Sequence, residues 1–255
     1  MINLKITGVE SINMRTLLIL ILLYSASAYS NSELEITYFI SDKSSAPIQI
    51  PSEKSGIVTD ILNVLDMPNV NLVHKILPFK RLILTLENSE TPWITYGSDK
   101  WQDLRAYNLS ATPIMTVQHV LMTTPQTPYD SIMDILDKDI VLILGFNYPG
   151  LVDYMNQKPD NVFYVKTHKS AIQMILKGRV GAFVGMESRL KYHLKKMMIK
   201  KEDVVMHDLS DIIPGYDVNL SFSNDFPVAL RKSIENQLHH LKKTGQLKAI
   251  LQKYK

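Results

Sequence analysis

Cysteine is absent from the 255-residue chain, so no disulfide framework supports the fold and the core has to hold by packing alone. An excess of charge of one sign is absent as well: 28 Lys and Arg face 25 Asp and Glu, for a formal charge of +3. No basic block is long enough to coat a phosphate backbone, which argues against nucleic acid as a partner. The apolar run at residues 17–23 falls far short of the ~20 residues that a membrane-spanning helix needs. A nucleophile elbow, an H-E-x-x-H pair and a phosphate loop are all missing, so the familiar local signatures of catalysis are not there. What is present is a 45% hydrophobic composition, enough to build a core in one large domain or two modest ones.

The N-terminus carries Arg15, the apolar run 17–23 and the small residues Ser25, Ala26, Ser27 and Ala28. This order of basic, apolar and small residues is that of a secretion signal, with cleavage expected after Ala28. Glu10 sits oddly in such a segment, which makes Met14 a candidate start. With no cysteine near the cleavage site, there is no thiol to acylate, and a freely diffusing exported chain is expected.

From Glu35 onward, strand-like and helix-like segments alternate, which predicts an α/β fold with largely parallel sheet. Residues 34–40 and 70–76 read as strands, and Ile57, Ile61, Leu62 and Leu65 recur at helical spacing between them. Pro78 suits the start of a helix carrying Leu82, Ile83 and Leu86. The apolar run 140–144 ends at Gly145 and leads into a short helix near 151–155. Residues 162–165 and 180–184 read as further strands around a helix N-capped by Ser170 and ended by Gly178. Residues 188–201 carry Arg189, Lys191, Lys195, Lys196, Lys200 and Lys201, read as a solvated helix face without function. In the tail, Leu230, Ile234, Leu238 and Leu241 share a face, and Gly245 separates this helix from a last one. His239 and His240 are adjacent and so point roughly 100° apart, which is not the spacing of a two-histidine metal site. No metal and no cofactor is expected.

Several segments, taken in order, resemble the extracellular solute-binding proteins of amino-acid-type ABC transporters (family 3). Gly56, Ile57, Asp60 and Ile61 are similar to a G-[IF]-x-x-D-[IL] segment at the first helix, and Leu109, Ser110 and Pro113 to an [FL]-S-x-x-P segment. The run from Gly178, Arg179, Val180 and Gly181 to Ala182 resembles G-[RK]-[VI]-D-A, and the tail resembles the closing helices. The resemblance covers nearly all of the chain after residue 28, and it rests on order and spacing, since no single motif is specific. It implies a type II periplasmic binding protein fold: two lobes joined by two hinge crossovers, near residues 114–118 and 215–219, with a ligand between them. The expected organisation is a signal peptide at 1–28, lobe 1 at 29–116 and 219–255, and lobe 2 at 117–218. The implied partners are a small-molecule ligand and an ABC permease or a membrane sensor, and a monomer is expected.

The departures bear on the ligand. Amino-acid-binding members of the family place an Arg about seven residues before the [FL]-S pair, where this chain has Gln102, and the nearest alternative is Arg105. Their second-lobe Asp positions hold Gly181 and Met186 here, with Glu187 a candidate substitute. An unusual amino acid, a small peptide, an organic acid or another polar metabolite is therefore as open as a standard amino acid. Tyr96, Ser98 and Trp101 fall where the family surrounds its ligand, and an indole beside a Gly-Ser turn suits a stacking wall. Trp93 reads as packing. Phe146, Asn147 and Tyr148 join a strand to a helix, where backbone N–H groups can meet an anion, and Asp42 is a candidate acceptor after the first strand. Structural readings compete at each position: surface packing for Trp101, turn formation for Asp42, a surface arginine for Arg105. Related lobes also occur in cyclohexadienyl dehydratases and certain lytic transglycosylases, but no carboxylate pair is singled out by spacing, and no catalytic residue is assigned.

Overall fold

The computed structural model describes residues 33–42, 45–127, 129, 138–146, 148 and 150–255. The expected signal peptide and Asn147 lie outside the described residues.

Two five-stranded sheets organise the described chain. The first is built from β1 (Leu34–Ser41), β2 (Val70–Leu77), β3 (Trp93–Gly97), β4 (Met115–Val117) and β10 (Tyr216–Phe222), in the order β2-β1-β3-β10-β4. The second is built from β5 (His119–Thr123), β6 (Ile140–Ile143), β7 (Val162–Val165), β8 (Ala182–Met186) and β9 (Val205–Asp208), in the order β7-β6-β8-β5-β9. The sheets are mixed rather than largely parallel. β1 pairs with β3, and β6 with β7 and β8, in parallel, whereas β10 runs antiparallel to β3 and β4, and β5 antiparallel to β8 and β9. The antiparallel partners are the strands beside the two crossings, where the chain passes between sheets without an intervening helix to reverse it. The chain leaves the first sheet after Val117 and rejoins it at Tyr216, so all of β10, including Tyr216 to Val218, sits in the first sheet.

Seven helices are assigned among the described residues: α1 (Ile57–Val64), α2 (Phe79–Glu87), α3 (Val152–Gln157), α4 (His168–Leu176), α5 (Glu187–Lys196), α6 (Val228–Lys243) and α7 (Gln246–Gln252). None is long and apolar enough to cross a membrane. Pro78 precedes α2 and Pro227 precedes α6, each with φ near the proline value. Thr167, rather than Ser170, caps α4, with its hydroxyl accepting from the Ser170 N–H at 3.1 Å. This places the helix start three residues earlier than the sequence suggests. Gly56 opens α1 at φ 122°, and a Cβ there would lie 2.7 Å from the Gln49 Cα, so the position demands glycine.

The stripe Ile234, Leu238 and Leu241 of α6, with Leu247 and Ile250 of α7, packs into one buried cluster with Ile36 and Tyr38 of β1 and Ile57 and Ile61 of α1. The tail helices thus complete the core on the first sheet. A second buried cluster joins Val141, Ile172, Phe183 and Leu190 around the second sheet. Each fully buried Leu, Ile or Phe in these clusters contributes about 1.5–3 kcal/mol relative to exposure.

Candidate functional site

A cavity of about 450 Å³ opens where β3, α2 and β10 of the first sheet face β6, β8 and α5 of the second. Its walls are aromatic: Phe79 at the first turn of α2, Tyr96 on β3, Trp101 in the following turn, Phe146 just after β6, and Tyr216 at the start of β10. Phe79 and Phe146 stack with ring centroids 5.7 Å apart and planes at 15°, closing one side of the cleft across the two sheets. Trp101 meets Tyr96 edge to face at 5.7 Å, and its indole N–H donates to the Tyr216 hydroxyl at 3.4 Å.

Arg105 forms part of this wall and is only 5% exposed. Its position follows from Gly97 at the end of β3: a Cβ there would lie 1.7 Å from the Arg105 carbonyl oxygen, so only glycine lets the 3-10 turn Leu104–Ala106 pack against the strand. Asp103 N-caps that turn, accepting from the Arg105 backbone N–H at 3.0 Å. The same carboxylate accepts from Arg105 Nε at 2.9 Å and from Nη2 at 2.7 Å. The guanidinium lies over the Trp101 ring at 4.4 Å and the Phe79 ring at 4.8 Å. Arg105 is therefore no surface arginine, but one edge of its donor fork is already taken by Asp103.

The second arginine of the wall is Arg189, near the start of α5, and here the structure corrects the sequence reading. Lys191, Lys195, Lys196, Lys200 and Lys201 are exposed as a solvated face, but Arg189 is 1% exposed and lines the cavity. Leu190 and Leu194 anchor α5 in the core, and Arg189, roughly 100° round the helix from Leu190, lies on the side that faces Phe146 and Tyr96. Its guanidinium sits 4.8 Å over the Phe146 ring, and Nη2 donates to the Tyr96 hydroxyl at 3.4 Å, a second link across the cleft. Three histidines stand behind it. Burial, then the Arg189 charge, lowers His119 and His193 from 6.5 to about 4, and burial holds His168 well below its usual value. His168 and His193 stack at 4.7 Å with planes at 13°, an arrangement suited to neutral rings.

Of the residues proposed from sequence, Tyr96, Trp101, Arg105 and Phe146 meet at this cavity. Asp42, Ser98, Tyr148 and Glu187 are not part of its wall. Asp42 follows β1, and its carbonyl accepts from the Ser45 hydroxyl at 3.1 Å, a turn role. Ser98 is fully buried, its hydroxyl accepting from the Lys100 N–H at 3.4 Å within the turn. Tyr148 is 7% exposed, accepts from the Ile143 N–H at 2.9 Å and packs with Leu121, Leu142 and Leu151, and burial pushes its hydroxyl pKa up. Glu187 pairs with Lys191 at 2.6 Å and borders other cavities. Trp93 packs against Phe39 in a small cluster with Leu82 and Leu86, as its packing role requires. The sequence reading missed Phe79, Asp103, Arg189 and Tyr216. Asp103 alone left a local trace, as an acid two residues before an arginine at an N-cap position. Among the described residues, no group of three or more His, Cys, Asp or Glu could hold a metal ion.

The fold is that of the two-lobed periplasmic-binding-protein class, with the cleft between sheets as its defining feature. No family model matches the chain, and no curated protein matches it. Among solved structures, a mutant of ArgBP from T. maritima aligns with TM-score 0.64 and 16% identity, covering 90% of this chain and 97% of that one. A structure describing glutathione import via GshT and the cystine ABC importer TcyBC of Streptococcus mutans aligns with TM-score 0.69 and 15% identity, covering 87% and 95%. A histidine kinase sensor domain with similarity to periplasmic binding proteins aligns with TM-score 0.65 and 15% identity, covering 88% and 97%. At these identities the likeness is one of fold.

Proposed function

We propose that the protein is a periplasmic solute-binding protein, exported by a signal peptide cleaved after Ala28, that captures a small polar solute between two lobes and delivers it to an ABC permease. The proposed lobes are 29–116 with 219–255, and 117–218, with Val117 and Tyr216 to Val218 moved to the first lobe because they pair within the first sheet. The observation that carries the reading is the aromatic-walled cleft of about 450 Å³, within the size range of small-molecule sites, with two buried arginines converging on it from opposite sheets. Binding without conversion is favoured because, among the described residues, the wall offers one carboxylate, Asp103, and Arg105 occupies it. A two-carboxylate mechanism has no second partner there.

Thermal-shift screening of the secreted protein against amino acids, peptides and organic acids tests the reading. A true ligand raises stability by about 2.7 kcal/mol at 100 times its dissociation constant. A screen of that breadth with no stabilising compound defeats it. The sensor-domain neighbour supports a second reading, in which the closed lobes signal to a membrane protein. Ligand uptake that survives deletion of the protein favours the sensor over the transporter.

A further inference from the structure

On the reading that two lobes close on a solute, we propose that the stacked rings of His168 and His193 form an acid-sensitive latch behind the cleft wall. While both rings are neutral they hold α4 on α5 and keep Phe146 against Phe79; protonation of either one parts them and opens the cleft. Four rings stand in file from the helices of the second sheet to the first. His193 of α5 stacks on His168, the first residue of α4, with centroids 4.7 Å apart and planes at 13°. His168 meets the Phe146 ring edge to face at 6.3 Å, and Phe146 stacks on Phe79 across the cleft at 5.7 Å. A shift of the histidines is thereby passed to the contact that closes one side of the cleft.

The surroundings of the pair suit neutral rings only. A neutral imidazole carries one N–H and one bare nitrogen, whereas an imidazolium carries an N–H on both. Nδ1 of His168 and Nε2 of His193 are buried and find no hydrogen-bond partner among the described residues. Protonation in place puts a charge and an unmet donor into the packed interior at once, a cost relieved only when the ring reaches water. His168 is buried at the first position of α4, where the helix dipole also opposes a cation. α4 packs on β6, β7, β8 and α5. β6 and β8 carry no titratable residue, and β7 carries only the exposed Tyr164. From α5 the facing groups are Arg189, a further positive charge, and His193 itself, with Tyr192 edge-on to His193 at 5.3 Å. The other charges of α5 are engaged elsewhere: Glu187 with Lys191 at 2.6 Å, Lys196 with Glu53 at 3.0 Å, and Lys195 with the Lys255 carbonyl at 2.9 Å. Lys169 of α4 is exposed. Burial first, and then Arg189, holds both rings below 6.5, His193 at about 4. The latch is thus whole above 6.5 and is lost as pH falls toward 4.

The test is small-angle scattering of the ligand-free secreted protein as pH falls from 6.5 to about 4, with far-UV circular dichroism and histidine NMR on the same samples. The radius should grow while the far-UV signal is kept, and the Cε1 resonances of His168 and His193 should titrate in step with it. The double variant His168→Phe with His193→Phe keeps the file of rings without a basic nitrogen, and it should hold its neutral-pH radius through the window. His119→Gln, if folded, should open like the parent. An unchanged parent radius overturns the latch, and so does growth accompanied by loss of the far-UV signal, which is global unfolding. Rings that stay neutral while the radius grows overturn it as well, as does a folded double variant that opens like the parent. A folded His119→Gln protein that no longer opens moves the switch to His119 and overturns the assignment to the stacked pair. The titration of the parent needs no variant to fold. Because every readout is taken without ligand, the latch can fail while the thermal-shift screen still finds a solute, and a blank screen removes the binding function without altering the measured opening.

Discussion

Replacing Arg105 with Ala tests how the first-sheet wall is built. Were Arg105 an exposed ligand contact, its loss would leave the ligand-free protein as stable as before. The structure predicts otherwise. Arg105 and Asp103 have side chains only 6% and 13% exposed and share two hydrogen bonds. Truncating one partner leaves the other charge buried and uncompensated, a change of about 3–5 kcal/mol in such pairs. The Trp101 and Phe79 rings also lose the cation lying 4.4 and 4.8 Å over them. For a chain of this size, 1 kcal/mol corresponds to about 2–4 °C, so Tm should fall by roughly 6–20 °C. Urea melts of Arg105→Ala, Asp103→Ala and the double variant make the assay a cycle. The double variant should be less destabilised than the two singles added together, because it removes both charges at once. A Tm for Arg105→Ala within about 1 °C of the parent, or strictly additive variants, would refute the paired-wall account.

Stability should fall as pH drops from about 6.5 toward 4. His119 goes from 6.5 when unfolded to about 4 when folded, so in that window the unfolded chain binds the extra proton. The contribution is complete above 6.5, is lost as pH falls, and levels off below the folded value, amounting to roughly 3 kcal/mol for this histidine. Equilibrium melts across the window check it, and a slope unchanged in His119→Gln counts against the assignment. Gly97→Ala should destabilise by about 1–3 kcal/mol or more, because the new Cβ meets the Arg105 carbonyl; a neutral result in denaturant melts would mean that the 3-10 turn does not press on β3. Phe79→Ala should weaken the closed form by the stacking contribution of about 0.5–1.5 kcal/mol, seen as a larger ligand-free radius in small-angle scattering. An unchanged radius would show that the Phe79 and Phe146 stack does not help to hold the cleft shut.

Elements whose own side chains define a period were legible in the sequence, and contacts between distant elements were not. β6 reads as a strand because all four of its residues are apolar and buried, and α6 because Ile234, Leu238 and Leu241 fall on one stripe. The antiparallel crossing strands leave no such mark: β5 and β10 are buried along most of their length and look locally like parallel strands. The site divides in the same way. That Gln102, Gly181 and Met186 stand where amino-acid-binding proteins of the resembled family carry Arg and Asp is an expectation that needs only the resemblance and positions in the chain. Finding what lines the cleft needs the packing of α5, and a sequence whose helix carries Arg189 beside Lys191, Lys195 and Lys196, all exposed, gives no reason to separate that one cation from the rest. The separation comes from contacts with elements distant in the chain, the Phe146 ring 4.8 Å from the Arg189 guanidinium and the Tyr96 hydroxyl 3.4 Å from Nη2. Leu190 and Leu194 alone would not make that choice, since at roughly 100° per residue Lys191 stands at least as near to their stripe as Arg189 does.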